Sequence, residues 1–310
     1  MKKKQILVIG ASGFIGKNLI PRLLKQGHGV TVVGRRKHKD FNKPIRFIQA
    51  DLVKPVRLKN ILAQIDCIIH LAADTNVNAS ILEPARVLKY NSDTTLNLLE
   101  QCRLAKVQPL VIFASTDRMY GRTRKRSVSE TDPVFPLEPY TASKILGEIL
   151  VQTYQSKYGI PYVILRLDSV YGPNQPSQMF ISDMIHKMSS GSDISVGNLS
   201  VKKNFVYVDD VADAFILAVS ARPSAYNSVY NIGGKQVSLE QIFKILKRLA
   251  EKRFQHDISV RFQAALVRQS GIEISPFRLS TIRAQKQLGW KQQISLAEGL
   301  KLTFDHFFIA

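Results

Sequence analysis

Carboxylates are scarce in this sequence: 24 Asp and Glu stand against 44 Lys and Arg in 310 residues, a formal net charge of +20. Such a field attracts anions, nucleotides and phosphorylated substrates among them, and it equally suits a solubilising surface. No nucleic-acid-binding motif accompanies the charge, so no specific nucleic-acid partner is expected. Cysteine is nearly missing as well. Cys67 and Cys102 lie inside apolar patterns, with no disulfide framework and no zinc spacing, and no metal site is expected. They read as buried thiols in a reducing compartment, so the expected location is cytoplasmic. No apolar run approaches the roughly 18–20 residues of a membrane span, and membrane insertion is not expected. The start Met1-Lys2-Lys3-Lys4, followed by Ile6–Ile9, imitates a secretory leader. Its apolar stretch is short and runs into spaced glycines and Lys17, so it reads as a first buried strand. Internal repeats and low-complexity segments are absent too. With 45% apolar and 22% charged residues, the composition is that of a folded chain.

What is present is an alternation of strands and helices. Ile6–Ile9, Val30–Val33, Arg46–Ile48, Cys67–His70, Leu110–Ala114 and Tyr162–Leu165 are short runs rich in Ile and Val, bounded by turn residues. Amphipathic stretches at Gly16–Gln26, Leu88–Leu104 and Thr141–Tyr158 separate them. Repeated β-α-β of this kind predicts an α/β fold with a doubly wound parallel sheet and helices on both faces. The rhythm changes after Pro173. The expected division is a larger domain over 1–173 and 204–221, and a smaller one over 174–203 and 222–310. Val206–Asp209 and the helix Val211–Ser220 read as a return to the larger domain.

Gly10-Ala-Ser-Gly13-Phe-Ile-Gly16 directly follows the first strand and opens a helix. Glycine there permits a tight turn, a close approach of backbone to a pyrophosphate, and close helix–strand packing. The amides at the helix start receive the anion. Gly10, Ser12, Gly13, Phe14, Ile15 and Gly16 are therefore candidate cofactor-binding residues.

Fragments in a fixed order follow this loop. They are Asp51-Leu52, His70-Leu71-Ala72-Ala73, Asn91, Ser115-Thr116, Tyr120-Gly121, Tyr140-x-x-x-Lys144, Arg166, Val170-Tyr171-Gly172-Pro173, Tyr230-Asn231-Ile232-Gly233-Gly234 and Leu288-Gly289-Trp290. With them the chain resembles an extended short-chain dehydrogenase/reductase of the NAD-dependent epimerase/dehydratase family, which acts mainly on nucleotide sugars. The resemblance covers nearly the whole length and implies a Rossmann-type NAD(P)-binding domain with a smaller C-terminal substrate-binding domain. It implies that Asp51 and Leu52 flank the adenine, and that Leu71, Ala72 and Ala73 run beneath the phosphate and ribose. Asn91 and Val170 join the cofactor set. His70 is expected to be a packed structural histidine.

Set in this frame, Val30-Thr31-Val32-Val33-Gly34-Arg35-Arg36 bears on cofactor choice. NAD binders place an acid at the end of the second strand for the ribose hydroxyls, whereas arginine there accommodates the 2′-phosphate of NADP. Gly34 leaves no carboxylate, and Arg35 and Arg36 are placed to hold a phosphate through bidentate hydrogen bonds. NADP is expected in preference to NAD. The same arginines also read as the start of a solvated run through Lys37 and Lys39.

Tyr140 and Lys144 stand one helical turn apart on one face. A free phenol with a pKa near about 10 is a poor base at neutral pH, and a nearby ammonium is expected to lower it. Thr116, the third catalytic candidate, orients the substrate oxygen, and Lys144 also reaches the nicotinamide ribose. The reaction implied is hydride transfer between a carbinol and the nicotinamide, with Tyr140 moving the proton. Ser115-Thr116-Asp117-Arg118 resembles the Thr-Asp-Glu stretch of sugar 4,6-dehydratases. Arginine replaces the glutamate, however, and cannot serve as a base. Epimerisation or keto-sugar reduction is expected, and dehydration by that route is not.

On the substrate side Ser115, Asp117, Ser169 and Lys203 are the candidates. Ser169 replaces an asparagine usual in the family, and Lys203-Asn204 replaces Arg-Asp, keeping a charge without the bidentate fork. Arg268 is the nearest candidate for a further phosphate ligand. The loop Gly121-Arg-Thr-Arg-Lys-Arg126 reads as an exposed charged loop, or as a funnel for an anionic substrate. The substrate expected is a nucleotide sugar. Alternatives are an NADPH-dependent reductase of a non-nucleotide carbonyl compound, and a non-catalytic NADP-binding protein with a basic partner-binding surface. A homodimer through the helices of 88–104 and 141–158 is compatible with the pattern.

Overall fold

The computed structural model describes residues 2–37, 45–54, 56–190, 194–255, 257–262 and 277–308. Arg268 and Lys39 lie outside them. In chain order the first half comprises β1 (Gln5–Ile9), α1 (Phe14–Lys25), β2 (Gly29–Gly34), β3 (Arg46–Gln49), α2 (Lys59–Leu62) and β4 (Cys67–His70). It continues with α3 (Val77–Leu82), α4 (Pro84–Ala105), β5 (Leu110–Thr116), a 3-10 turn at Asp117–Tyr120, β6 (Ser127–Val128) and α5 (Pro139–Tyr158). There follow β7 (Tyr162–Leu167), β8 (Ser169–Tyr171), α6 (Phe180–Ser189), β9 (Ile194–Val196), β10 (Lys202–Tyr207) and α7 (Val208–Val219). The last third holds β11 (Ser228–Ile232), β12 (Lys235–Ser238), α8 (Leu239–Phe254), β13 (Val260–Phe262), β14 (Arg278–Leu279), α9 (Ile282–Leu288) and α10 (Leu296–His306).

Seven strands form one sheet in the order β3-β2-β1-β4-β5-β7-β11, and every neighbouring pair in it is parallel. Strands buried on both faces must be apolar throughout rather than alternating. Residues 6–9 of β1 and all seven of β5 are buried. Two apolar clusters cover the sheet: α1 and α7 contribute to one, α4 and α5 to the other. The long helices begin and end where the chain chemistry dictates. Proline opens α4 and α5 at a position whose N–H needs no partner, and Gly159 closes α5 with φ +70°. Ser238 and Gln241 form a reciprocal capping box on α8.

Two strands lie elsewhere than the expected domain division puts them. β11 lies in the segment assigned to the smaller domain, yet it pairs with β7 and forms the edge of the main sheet. β10, expected to return to the larger domain, instead sits between β12 and β8 in a separate three-stranded sheet. Val206 of β10 and the helix that follows, α7, pack back against the main sheet, with Val206, Val211, Phe215 and Val219 fully buried. The reason is the apolar surface of β10 itself. Phe205 and Tyr207 pack with Ile185, Ile242, Leu246 and Phe304 in a third cluster formed by α6, α8 and α10. The C-terminal segment is tied to the larger body by Trp290, 1% exposed, whose Nε1 donates to the Asp210 carbonyl at 2.7 Å. The Asp210 carboxylate accepts the backbone N–H groups of Gln293 and Ile294. Among the described residues no helix is long and apolar enough to cross a membrane.

Candidate active site

The glycine loop sits at the C-terminal edge of the sheet, where parallel α/β folds open their ligand crevice. Gly10 has φ +86°, and a Cβ there would lie 2.5 Å from the Ala72 amide nitrogen. A Cβ on Gly16 would lie 2.4 Å from the Ala11 carbonyl oxygen. Glycine at these two positions lets β1, the loop after β4 and α1 meet. Gly13 caps α1 without a side-chain hydrogen bond, and no acid occupies the first turn. With no capping side chain and no acid beside them, the amides at that helix start form the arrangement that receives a phosphate.

A cleft beside the loop brings together Gly10, Ser12, Gly34, Arg35, Arg36, Asp51, Leu52 and Ala72. Arg35 and Arg36 are exposed, and the Arg35 guanidinium lies 5.7 Å from the Tyr90 ring centroid, within reach of a cation–π contact. Tyr90 and Thr94 complete the wall. Sequence reasoning passed over both, although they stand four apart on the same helical face beside Asn91. The donors and the uncapped helix suit a dinucleotide. Gly10, Ser12 and Gly13 would meet its pyrophosphate, and Arg35, Arg36, Asp51 and Leu52 its adenosine half.

Apolar packing engages several of the predicted residues. Ile15 and Leu71 pack into the cluster on one face of the sheet and Ala72 into that on the other, while Ala73 is half-buried just beyond. Phe14 and Val170 reach the third cluster, so they bridge the main sheet and the smaller lobe. The Asn91 side chain is fully engaged. It accepts from the Asp74 backbone N–H at 2.7 Å and donates to the Asp74 carbonyl and to Ser143 Oγ, at 3.1 and 2.8 Å. It thus fixes the loop after β4 to the helix that carries Lys144. His70 Nε2 lies 3.1 Å from Thr95 Oγ1, and burial first, then Lys144, lowers its pKa to about 3. His70 is a neutral, packed ring.

Thr116 ends β5, and Tyr140 and Lys144 ride the first turns of α5; all three are buried. The expectation that Lys144 lowers the Tyr140 pKa takes a different form in the structure. Burial pushes Tyr140 up to about 12, and the opposing influences are Arg118 first and the Thr116 hydrogen bond second. The Lys144 ammonium stands 4.3 Å from the Phe113 ring centroid, and burial lowers it to about 8 against the pull of Glu148. Arg118 is held by Glu138, Nε to Oε1 at 2.7 Å, and Thr141 Oγ1 donates to the same oxygen. The arginine in place of the dehydratase glutamate therefore brings its own buried counter-ion, two residues before Tyr140.

Asp117 is buried, and desolvation raises its pKa to about 6 against Arg118, a bond from Asp168 and Lys203. Ser115 Oγ is buried without a hydrogen-bond partner among the described residues. Ser169 begins β8, with its N–H on Asp168 Oδ1 at 2.7 Å, and Lys203 is half-buried on β10. Beneath this group Arg166 forms a buried fork with Glu148, at 3.0 and 2.8 Å, and donates to the Tyr120 hydroxyl, which donates to Asn231 Oδ1. Glu138, Glu148 and Asp168 were not foreseen. The signal was an acid in each case beside a motif residue. On the basic loop Arg122, Arg124 and Arg126 are exposed, and Lys125 pairs with Asp132.

A doubly wound sheet with an open phosphate cradle, beside a buried phenol, hydroxyl and ammonium, defines a dinucleotide-binding α/β protein of the oxidoreductase type. The model of the NAD dependent epimerase/dehydratase family matches residues 6–233. A putative UDP-glucose 4-epimerase of Methanocaldococcus jannaschii is 33% identical, with 96% of each chain covered. Among solved structures, the UDP-glucose 4-epimerase of Thermotoga maritima with UDP-glucose superposes with a TM-score of 0.87 at 30% identity, covering 98% of this chain and 99% of that one. The UDP-glucuronic acid 4-epimerase of Bacillus cereus, in complex with UDP-glucuronic acid and NAD, gives 0.87 at 29% identity over the same shares. The chain belongs to the NAD-dependent epimerase/dehydratase family, a family of enzymes.

Proposed function

We propose that the chain is a UDP-sugar 4-epimerase that works with a bound dinucleotide, Thr116, Tyr140 and Lys144 forming its catalytic set. The observation that carries the reading is the burial of Thr116 at the end of β5 together with Tyr140 and Lys144 on the first turns of α5. The named activities of similar proteins support the sugar and its nucleotide. When bound, the dinucleotide supplies the hydride acceptor and donor. Tyr140 takes the proton of the sugar O4 and returns it, Thr116 orients that oxygen, and Lys144 holds the nicotinamide ribose. Ser115, Asp117, Ser169 and Lys203 line the sugar side. Arg118, committed to Glu138 and unable to act as a base, weighs against 4,6-dehydration.

The dinucleotide in this reading is NADP, because Gly34 presents no carboxylate and two exposed arginines flank the cleft. Two buried thiols suit a reducing cytoplasm. The exposed Leu96, Leu104, Leu146 and Ile149 on α4 and α5 support a homodimer through those helices. The test is incubation with UDP-glucose, UDP-galactose and UDP-glucuronic acid, each with NAD and with NADP. Interconversion at C4 is the expected result. A 4-keto-6-deoxy product, or net consumption of NADPH, would overturn the epimerase assignment.

A further inference from the structure

Arg118 touches both segments that carry the catalytic hydroxyls. Its backbone N–H donates to Thr116 Oγ1 at 3.3 Å, so Thr116 caps the 3-10 turn that follows β5. Its side chain crosses to the start of α5, where Nε donates to Glu138 Oε1 at 2.7 Å. Glu138 stands two residues before Tyr140, and Thr141 Oγ1, next to Tyr140, donates to the same Glu138 oxygen. The two partners are 20 residues apart in sequence. The chain between them leaves through the basic loop and β6 before it returns, so the covalent path does not fix their spacing.

Helix capping does not account for Glu138. It occupies the N-cap of α5, with φ −145° and ψ 160°, yet its side chain accepts no capping hydrogen bond. Ser, Thr, Asp or Asn serves that place better. The Glu138 side chain is 1% exposed, and Oε2 is buried without a partner among the described residues. Burying a carboxylate with one oxygen unsatisfied costs stability, and an ion pair in such a place returns little of it. What the pair supplies is a fixed arrangement: the guanidinium that Glu138 meets belongs to the residue whose N–H holds Thr116.

We propose that the Arg118–Glu138 pair positions the two catalytic hydroxyls, setting the distance between Thr116 Oγ1 and Tyr140 Oη. The role rests on the epimerase reading, and in it neither residue touches the reacting atoms. Thr116 ends a strand and Tyr140 begins a helix. A small drift between these two carriers would separate the hydroxyl that orients the sugar oxygen from the one that takes its proton. The pair opposes that drift by joining the carriers at a buried point. A second tie, from the Phe135 N–H to the Met119 carbonyl at 2.6 Å, runs backbone to backbone and does not depend on the side chains at 118 and 138.

Variants of the full chain test the pair, with UDP-glucose as the probe. Arg118→Gln is too short to reach Glu138 and should lower kcat by about 10–100-fold, with KM and dinucleotide affinity little changed. Combining it with Glu138→Gln leaves no buried charge unpaired, so the double variant should fold and be no slower than Arg118→Gln alone. Arg118→Lys, which still reaches Glu138, should recover part of the turnover. Wild-type kcat in the double variant, a loss confined to KM, or a double variant markedly slower than Arg118→Gln each overturns the proposal. So does a lowered melting temperature with kcat unchanged, the mark of a purely structural pair. Crystal structures give a readout without activity. The distance from Thr116 Oγ1 to Tyr140 Oη should change by about 0.5 Å or more in the double variant and return towards the wild-type value in Arg118→Lys. An unchanged distance in the double variant overturns the proposal. A wild-type chain that turns over no UDP-sugar, with the distance moving as stated, overturns the epimerase reading and leaves the pair standing.

Discussion

The two ends of the cleft handle charge by opposite means. At the Arg35–Arg36 end the cations are exposed and the binding surface is mainly backbone: glycine amides, an uncapped helix start and a strand end. At the β5–β7 end Arg118, Glu138, Tyr140, Lys144, Asp117 and Asp168 are packed together, and nearly all are buried. Exposed charges cost little to hold and interact weakly through water. Buried ones cost the fold stability and acquire shifted proton affinities in exchange. The first end suits recognition of a phosphate, and the second suits moving a proton.

That contrast is open to direct attack, beginning at the buried end. Tyr140→Phe should reduce turnover by about 10²–10⁴-fold while leaving dinucleotide affinity unchanged; steady-state rates beside a cofactor titration measure both. Glu148→Ala leaves Arg166, 8% exposed at its side chain, without its counter-ion. A loss of about 3–5 kcal/mol is expected in denaturant melts.

Asp117→Asn should act in the other direction on stability. The folded pKa of Asp117, about 6, is raised above its ordinary value of 3.8. Its proton is therefore held more tightly in the fold than in the unfolded chain. The fold is favoured below the ordinary value, and that advantage is lost as pH rises to about 6. Removing the group should stabilise the ligand-free protein at pH 7 by about 1–3 kcal/mol, and the gain should vanish at low pH. Melts of both proteins across the acid range would show it.

At the exposed end the effects shrink. Arg36→Ala should weaken NADP binding by about 10–100-fold, the worth of one charged hydrogen-bonded contact, and leave NAD almost unaffected. Tighter NAD than NADP binding by the wild-type chain would refute the cofactor choice. Smallest of all, neutralising Arg124 and Arg126 should change stability by less than about 0.5 kcal/mol. It should only flatten the salt dependence of substrate capture. A salt response unchanged by the substitution would remove the loop from the account.

The same contrast explains how much could be read from the sequence. The glycine loop, the strand ends at Gly34 and Asp51 and the helix carrying Tyr140 and Lys144 are local patterns, visible because turn geometry and helical spacing demand particular residues. The six foreseen strands of the main sheet appear within two residues of the predicted ends. Asp168, Glu138 and Glu148 escaped because each matters through a partner some 18 to 51 residues away: Glu148–Arg166, Glu138–Arg118 and Asp117–Asp168. No local spacing encodes such a meeting. β11 was misplaced for a related reason. Its apolar run is as fit for either lobe, and only pairing with β7 decides between them.

β11 also bears on how this chain can be handled. A fragment ending near 221, cut to isolate the nucleotide-binding half, would lack the outermost strand and strip the neighbouring edge from Tyr162 to Leu167 of its partner. That edge is mainly apolar and, without its partner, free to recruit another chain, the usual beginning of aggregation. It would also lose Trp290 from the cluster that backs the sheet. Expression of the halves separately is therefore expected to give insoluble protein, and any useful dissection must keep 228–232 and the stretch through Trp290 with the first half.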